Sequence, residues 1–249
     1  MVWSAYKVLT FDVVGTLIDF EAGIVGYIRP IARAAGREID DEAILEAFAR
    51  AEDAQQKSAP ERPFTDMLAP IYMAMAEALG LPASERAAAG FRLSIADWPA
   101  FADSVAALGR LRARFRLVAL TNADNWALAR MAETLGQPFD DSVTAEDVGV
   151  NKPDPRVFAY CRGRQSVHGY GLGDFLHVAQ SQYHDIGVAK RLGYAVCWIE
   201  RRQGREGFGA TPVPDAVTRP DFHFTTLAAL AEAVAREGRG EGEETRCDA

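Results

Sequence analysis

The chain has 249 residues, 49% of them hydrophobic and 25% charged, and a formal net charge of −8. This length holds one large domain or a domain with an insert, and an acidic balance with no basic cluster ahead of the tail argues against nucleic acid or an anionic membrane as partner. No apolar run is long enough to cross a bilayer, no basic-then-apolar leader precedes the first strand, and Cys161, Cys197 and Cys247 show no metal-ligand spacing, so a reduced, cytoplasmic compartment is expected.

Tyr6 to Phe11 is an apolar run that reads as a buried strand; it ends in Asp12, and Gly15-Thr16 turns the chain. A long helical pattern follows. Glu21 to Ala35 carries Ile24, Val25, Ile28, Ile31 and Ala32 and is stopped by Gly36, with Pro30 implying a kink or a break. Asp40 is placed to cap a second helix with Ile44, Leu45 and Phe48 on one face. After a loop over 59–63, a third helix runs from Thr65 to Leu79 and ends at Gly80, and a fourth from Ser84 to about Ala96. Residues 20–97 are therefore predicted to be an all-helical insert. From Trp98 the pattern alternates: helix 103–112, strand 117–120, helix 125–135, strand 142–144, helix from 155 to about 162 and strand 175–179. Then come helix 186–192, with Asp185 placed to cap it, strand 194–199, a shorter strand at 222–224 and a last helix over 226–236. Strand alternating with helix argues a parallel sheet covered on both faces. The glycine- and charge-rich stretch 238–246 has no apolar residue, which predicts a disordered tail over 236–249.

Four strand ends carry polar groups: Asp12, Thr121-Asn122, Asn151-Lys152, and Gln180-Ser181-Gln182 with Asp185. A parallel sheet gathers its carboxyl ends on one edge, so these distant positions are expected to share a cleft. Singly, each has an ordinary reading: a turn residue, a satisfied hydroxyl, a solvated lysine, a helix cap. Four in the right order, with Pro153 and Pro155 fixing the lysine loop, are harder to produce by accident.

These words, in this order, resemble the haloacid dehalogenase (HAD) superfamily over a core domain at roughly 1–19 and 98–235, with 20–97 as an inserted cap. The resemblance implies an α/β fold: a doubly wound parallel sheet, Rossmann-like, with an all-helical cap domain. It implies that Asp12 is a nucleophile, that Thr121 holds the substrate anion or the nucleophile, and that Lys152 stabilises negative charge. Most members are Mg-dependent phosphatases with a second aspartate two residues after the first and two acids in the fourth motif. Here those positions hold Val14 and Gln180, and only Asp185 remains. The pattern is more similar to the metal-free L-2-haloacid dehalogenase branch, where aspartate displaces halide from C2 and water hydrolyses the aspartyl ester. Halide is a good leaving group and needs no general acid. In that branch Lys152 and Asp185 would polarise the water and Asn122 would help hold the halide. Ser181, Gln182 and Phe158 fall at further substrate-facing positions, and Arg50 is the candidate for the arginine that the cap supplies to the halide. A surface role competes for Arg50, and His184, beside Asp185, either touches the cleft or faces solvent.

The expected protein is a hydrolase of a small, anionic substrate, without metal or other cofactor, monomeric or homodimeric. Two rivals stay open: a Mg-dependent phosphatase of a small metabolite, and a non-catalytic binding protein that retains the fold.

Overall fold

A computed structural model of the chain describes residues 2–244, with side chains through Glu237. It opens on β1 (Val8–Phe11), followed by α1 (Phe20–Ala34), α2 (Asp41–Ser58), α3 (Phe64–Leu79) and α4 (Glu85–Leu93). The rest alternates: α5 (Ser104–Arg112), β2 (Arg116–Thr121), α6 (Asn125–Thr134), β3 (Asp141–Thr144), α7 (Ala145–Val148), α8 (Pro155–Ser166), β4 (Phe175–Ala179), α9 (Gly187–Arg191), β5 (Ala195–Ile199), β6 (Phe222–Phe224) and α10 (Leu227–Glu244). The six strands form one parallel sheet in the order β3-β2-β1-β4-β5-β6. β1 and β4 lie at its centre and are wholly buried, which is why they read as apolar runs broken only by Thr10 and His177.

Residues 20–97 hold α1 to α4 and a short 3-10 turn at Ser94–Asp97. The two chain passages joining this segment to the sheet run side by side. Ile18 bridges Ala100, Asp19 N donates to Pro99 O at 2.8 Å, and Phe101 N donates to Leu17 O at 3.0 Å. Inside the cap, Phe20, Phe48, Phe64, Phe91 and Trp98 meet with ring centroids 6.2 to 6.5 Å apart, in tilted or edge-on pairs that aromatic quadrupoles favour. Pro30 is accommodated within α1, between the cap core and solvent.

Three details differ from the sequence reading. The fourth cap helix stops at Leu93, because Ser94 turns its hydroxyl back to the Phe91 carbonyl and the last turn tightens to 3-10. Asp185 does not cap the helix after β4. A π-turn at Gln182–Ile186 leads into α9, and Ser181 caps it by accepting from His184 N at 2.9 Å. Helix α10 continues past Arg236 to Glu244, where a tail was predicted: once Leu227, Leu230, Ala231 and Val234 are packed, each further residue only has to propagate a helix already nucleated. Residues 245–249 lie outside the described residues.

Candidate active site

The site is assembled at the carboxyl edge of the sheet. Asp12 N donates to Val178 O at 3.1 Å, extending the β1–β4 register by one residue and aiming the Asp12 side chain off the sheet edge. The chain then turns through Gly15, at φ +88°, a conformation that suits glycine alone here. A Cβ at Gly15 would also come within 3.1 Å of the Phe20 ring. This turn brings Thr16 back over the strand. Its hydroxyl donates to Asp12 Oδ2 at 2.5 Å and accepts from Gln180 N at 2.8 Å.

Lys152 enters from the loop before α8, and Asn122 holds that loop in place. Asn122 Oδ1 accepts from Lys152 N at 2.7 Å and its Nδ2 donates to Lys152 O at 3.0 Å. The buried ammonium spends all three donors: on Asp12 Oδ1 at 2.9 Å, Asp185 Oδ1 at 2.7 Å and Leu120 O at 2.8 Å. Asp185 Oδ1 also accepts from His177 Nε2 at 3.0 Å, while His177 Nδ1 accepts from the Thr10 hydroxyl at 2.9 Å. Asp185 Oδ2 is buried and has no hydrogen-bond partner among the described residues.

The two carboxylates are therefore unlike. Burial raises both, but around Asp185 the Lys152 ammonium and His177 outweigh it and hold the acid down at about 2. At Asp12 burial wins over Lys152 and the Thr16 hydroxyl, with Asp185 adding its own repulsion, and the acid lies above its ordinary range. Burial alone would lower Lys152, yet its two carboxylates keep it above its usual value and charged. Asp12 is thus the more basic and more nucleophilic carboxylate, and Asp185 a fixed negative charge.

Asp12, Val14, Thr121, Asn122, Lys152 and Asp185 face a narrow, partly open cavity of 40 Å³. A single water occupies at least about 10–15 Å³ on this measure, so the space between cap and sheet suits only a few atoms. The cap forms the opposite wall with Phe20, Phe64 and Glu52, and is latched down at its rim. Phe64 N donates to Asn122 O at 3.0 Å, and Asn151 Nδ2 donates to Pro60 O at 2.9 Å and Arg62 O at 2.6 Å. Gln180, Ser181 and His184 close one side; Ala210 and Thr211 from the loop after β5 complete it.

Of the predicted site residues, Asp12, Val14, Thr121, Asn122, Lys152, Gln180, Ser181 and Asp185 come together on this cavity, and three do not. Arg50 is exposed on the outer face of α2, pairs with Glu46 and lines a surface groove, since the inner face is taken by Phe48 and Glu52. Phe158 is buried behind the site and packs edge-on against His177, 5.3 Å between centroids, so it supports Asp185's partner instead of touching the cavity. Gln182 turns away to hold the segment around Thr218, accepting from its N at 3.0 Å and donating to its O at 3.4 Å. Asn122, though on the cavity wall, commits its side-chain amide to Lys152. Sequence reasoning missed Thr16, His177, Glu52 and Gln56. Thr16 stood within the first motif, and His177 is an interior polar residue in an apolar strand; the other two lie on a helix with no motif. His184, left open between cleft and solvent, faces the cavity.

This donor set does not fit a divalent cation. Mg²⁺ asks for near-octahedral oxygen ligands. Here Lys152 already sits between Asp12 and Asp185, Val14 offers no oxygen, and Gln180 Oε1 faces Thr211 Oγ1 at 3.4 Å. No cluster of three or more His, Cys, Asp or Glu that would hold a metal is found among the described residues.

A carboxylate at a central strand end, a lysine loop and a second acid gathered on one edge of a parallel sheet are the arrangement of a HAD-type α/β protein. Sequence comparison agrees: the haloacid dehalogenase-like hydrolase family matches residues 6–178, and the chain belongs to it. It is 31% identical over 107 residues to the (S)-2-haloacid dehalogenase of Pseudomonas fluorescens, 42% of this chain and 45% of that protein. The match thus spans less than half the length of that curated relative. Among solved structures, the L-2-haloacid dehalogenase from Xanthobacter autotrophicus superposes with a TM-score of 0.73 at 19% identity, over 92% of this chain and 98% of that one. A HAD-type protein from Bacillus subtilis bound to magnesium superposes equally well, with a TM-score of 0.73 at 18% identity over 92% and 99%. The fold is therefore shared by a haloacid dehalogenase and a magnesium-bound HAD protein, and fold alone does not choose between them.

Proposed function

We propose that the protein is a metal-independent hydrolase that converts a small 2-haloacid to the 2-hydroxy acid through a covalent aspartyl ester. The observation that carries this reading is the Asp12–Lys152–Asp185 array, in which the ammonium takes the place between two carboxylates and no acid stands at position 14 or 180. An Asp12 carboxylate oxygen attacks C2; the carbon–halogen bond breaks and halide leaves with its electron pair, so no proton donor is needed at Val14. Water then adds to the ester carbonyl carbon of Asp12. Asp185 Oδ2, which has no hydrogen-bond partner among the described residues, accepts a hydrogen bond from this water and aims it, and Lys152 stabilises the oxyanion that forms on Asp12. Collapse breaks the bond between the Asp12 carbonyl carbon and the ester oxygen; one proton of the water passes to that oxygen, which leaves in the hydroxy acid, the other goes to solvent, and a water oxygen stays in the Asp12 carboxylate.

Support comes from the small volume of the cavity, from the raised basicity of Asp12, and from the names of the partial relatives. The decisive experiment is halide release from a panel of 2-haloacids with chelator present, followed by one turnover in heavy-oxygen water. Label in the peptide containing Asp12 is the expected result. Activity that appears only with Mg, or hydrolysis of an aryl phosphate in place of halide release, would favour the phosphatase instead.

A further inference from the structure

The motif residues leave a charge problem in the cavity unsolved. Its one lining cation, Lys152, has no donor to spare. His184 adds no charge, because burial holds its imidazole down to about 4. An entering carboxylate would join two aspartates with no uncommitted cation to meet it, and a buried charge without a partner is costly.

The sheet side offers only neutral donors, such as the Thr121 hydroxyl, which accepts from Ala123 N, and a further one stands opposite them on the cap. Glu52 is 5% exposed, lines the cavity from α2 and makes no ion pair among the described residues. Its Oε1 accepts from Gln56 Nε2 at 3.1 Å; Gln56 Oε1 lies 3.1 Å from His184 Nε2, and His184 Nδ1 lies 3.2 Å from Ser181 Oγ. Gln56 Oε1 only accepts, so His184 carries its proton on Nε2 and Ser181 donates to Nδ1. This relay fixes Glu52 Oε1 as an acceptor. A proton on Glu52 therefore belongs on Oε2, which has no hydrogen-bond partner among the described residues.

We infer that Glu52, as a neutral carboxylic acid, is the group by which the cap holds the substrate, donating from Oε2 to the substrate's carboxylate in place of a cation. The inference rests on the reading of the substrate as a small 2-haloacid. Burial, with Asp53 adding to it, pushes the acid up to about 8, so it is protonated at neutral pH. On its own helix the nearest charge is Asp53, itself paired with Lys57. From the sheet edge it faces Asp12, Lys152, Asp185 and His184, while α1 and α3 present Phe20 and Phe64, and the loop after β5 presents Ala210 and Thr211. Of these, Lys152 loses its proton only above its ordinary range, Asp185 stays charged and His184 is already neutral; Asp12, raised by burial, is the other acid facing the cavity, and substitution of Glu52 tells the two apart. When Glu52 ionises it becomes a third carboxylate in the cavity and repels an anion, yet it still accepts a hydrogen bond from an amide.

Calorimetric titration with propionate and with propionamide, unreactive and close in shape, tests this from about pH 6.5 to about 9.5. For the wild type, the propionate Kd is expected to rise about tenfold per pH unit above about 8, with propionamide changing less than about twofold. Glu52→Gln keeps a donor and cannot ionise, so its propionate affinity should stay flat across the range. Propionate that fails to bind saturably, binds equally at both ends of the range, or keeps its alkaline weakening in Glu52→Gln would overturn the inference. If the variant does not fold, the same two titrations of Asp12→Asn decide: alkaline weakening of propionate that persists there belongs to Glu52, and its loss there overturns the inference. Halide release from 2-chloropropionate, run in parallel, separates the two claims. No halide with pH-dependent propionate binding sinks the dehalogenase reading and leaves Glu52 standing; halide release with pH-independent binding does the reverse.

Discussion

The two walls of the cavity are built on opposite plans. On the sheet wall every side-chain polar atom of the Asp12–Lys152–Asp185 array but Asp185 Oδ2 is engaged: Asp12 by Thr16 and Lys152, Lys152 by three acceptors, Asp185 Oδ1 by Lys152 and His177. The cap wall is two phenylalanines and a carboxyl group that nothing neutralises. A saturated network fixes geometry and charge, which chemistry requires. A loosely satisfied apolar wall can lift away and return, which eases substrate entry when the space beneath it is only 40 Å³. The difference teaches that changes on the sheet wall should act on rate and folding together, whereas changes on the cap wall should act on affinity and pH response.

The sharpest way to break this contrast is at the nucleophile. Asp12→Asn is expected to lose at least about a thousandfold in halide release, since the group acts in both half-reactions. Retention of most activity, or heavy oxygen appearing only in product, would replace the ester by a directly activated water. Lys152→Ala should fall nearly as far. It also leaves two buried carboxylates facing each other, so unfolding by denaturant should show a loss of about 3–5 kcal/mol. A variant that is inactive but fully stable would show that the ammonium matters to chemistry alone.

Acid and alkali should find different walls. Asp12 must be ionised to attack, and its acid lies above the ordinary aspartate range. Activity is therefore expected to fall on the acid side at a pH higher than a free aspartate would give, while the fold persists. Asp185 has a depressed folded value, about 2. The stability it contributes is present above the unfolded aspartate value and is lost only as pH falls towards 2. Glu52 has the opposite sign. Its folded value of about 8 exceeds the unfolded one, so its contribution is full below the unfolded glutamate value and declines as pH rises towards 8. Wild type should thus lose stability between about pH 5 and about 8, and Glu52→Gln should lose less. Equal slopes in the two proteins would mean that Glu52 is ionised in the fold.

How much of this was legible in the sequence follows the same division. Asp12, Thr121, Asn122, Lys152 and Asp185 stand at strand ends, and the topology of a parallel sheet alone brings strand ends together. Their convergence could be read without coordinates. What each does with its second atom could not. Asp185 had a sound reading as a helix cap, and only the π-turn, which hands capping to Ser181, frees it for Lys152 and His177. Phe158 and Gln182 fall at positions that resemblance marks as substrate-facing, but a core helix and a loop around Thr218 claim them. On the cap the sequence offered periodicity without a motif. Apolar positions located the inner face of α2, yet a polar residue on that face looks like one displaced from the surface.

Arg50 and Glu52 make the smallest and most exacting test of that lesson. Residues two apart on a helix point about 200° away from each other, so only one of the pair can face the cavity. A search for a cap residue to meet an anion favours the arginine by charge, but the face belongs to the glutamate. Arg50 pairs with Glu46 at 3.6 Å, and both side chains are about two-thirds exposed. Exposed helical pairs of this kind stabilise by only about 0.3–0.5 kcal/mol. Arg50→Ala is accordingly expected to change kcat and KM for a 2-haloacid by less than about threefold and stability by less than about 0.5 kcal/mol. A tenfold or greater rise in KM would mean that α2 rotates when the cap closes on substrate and exchanges the two residues. That single result would move recognition from a neutral acid back to a cation.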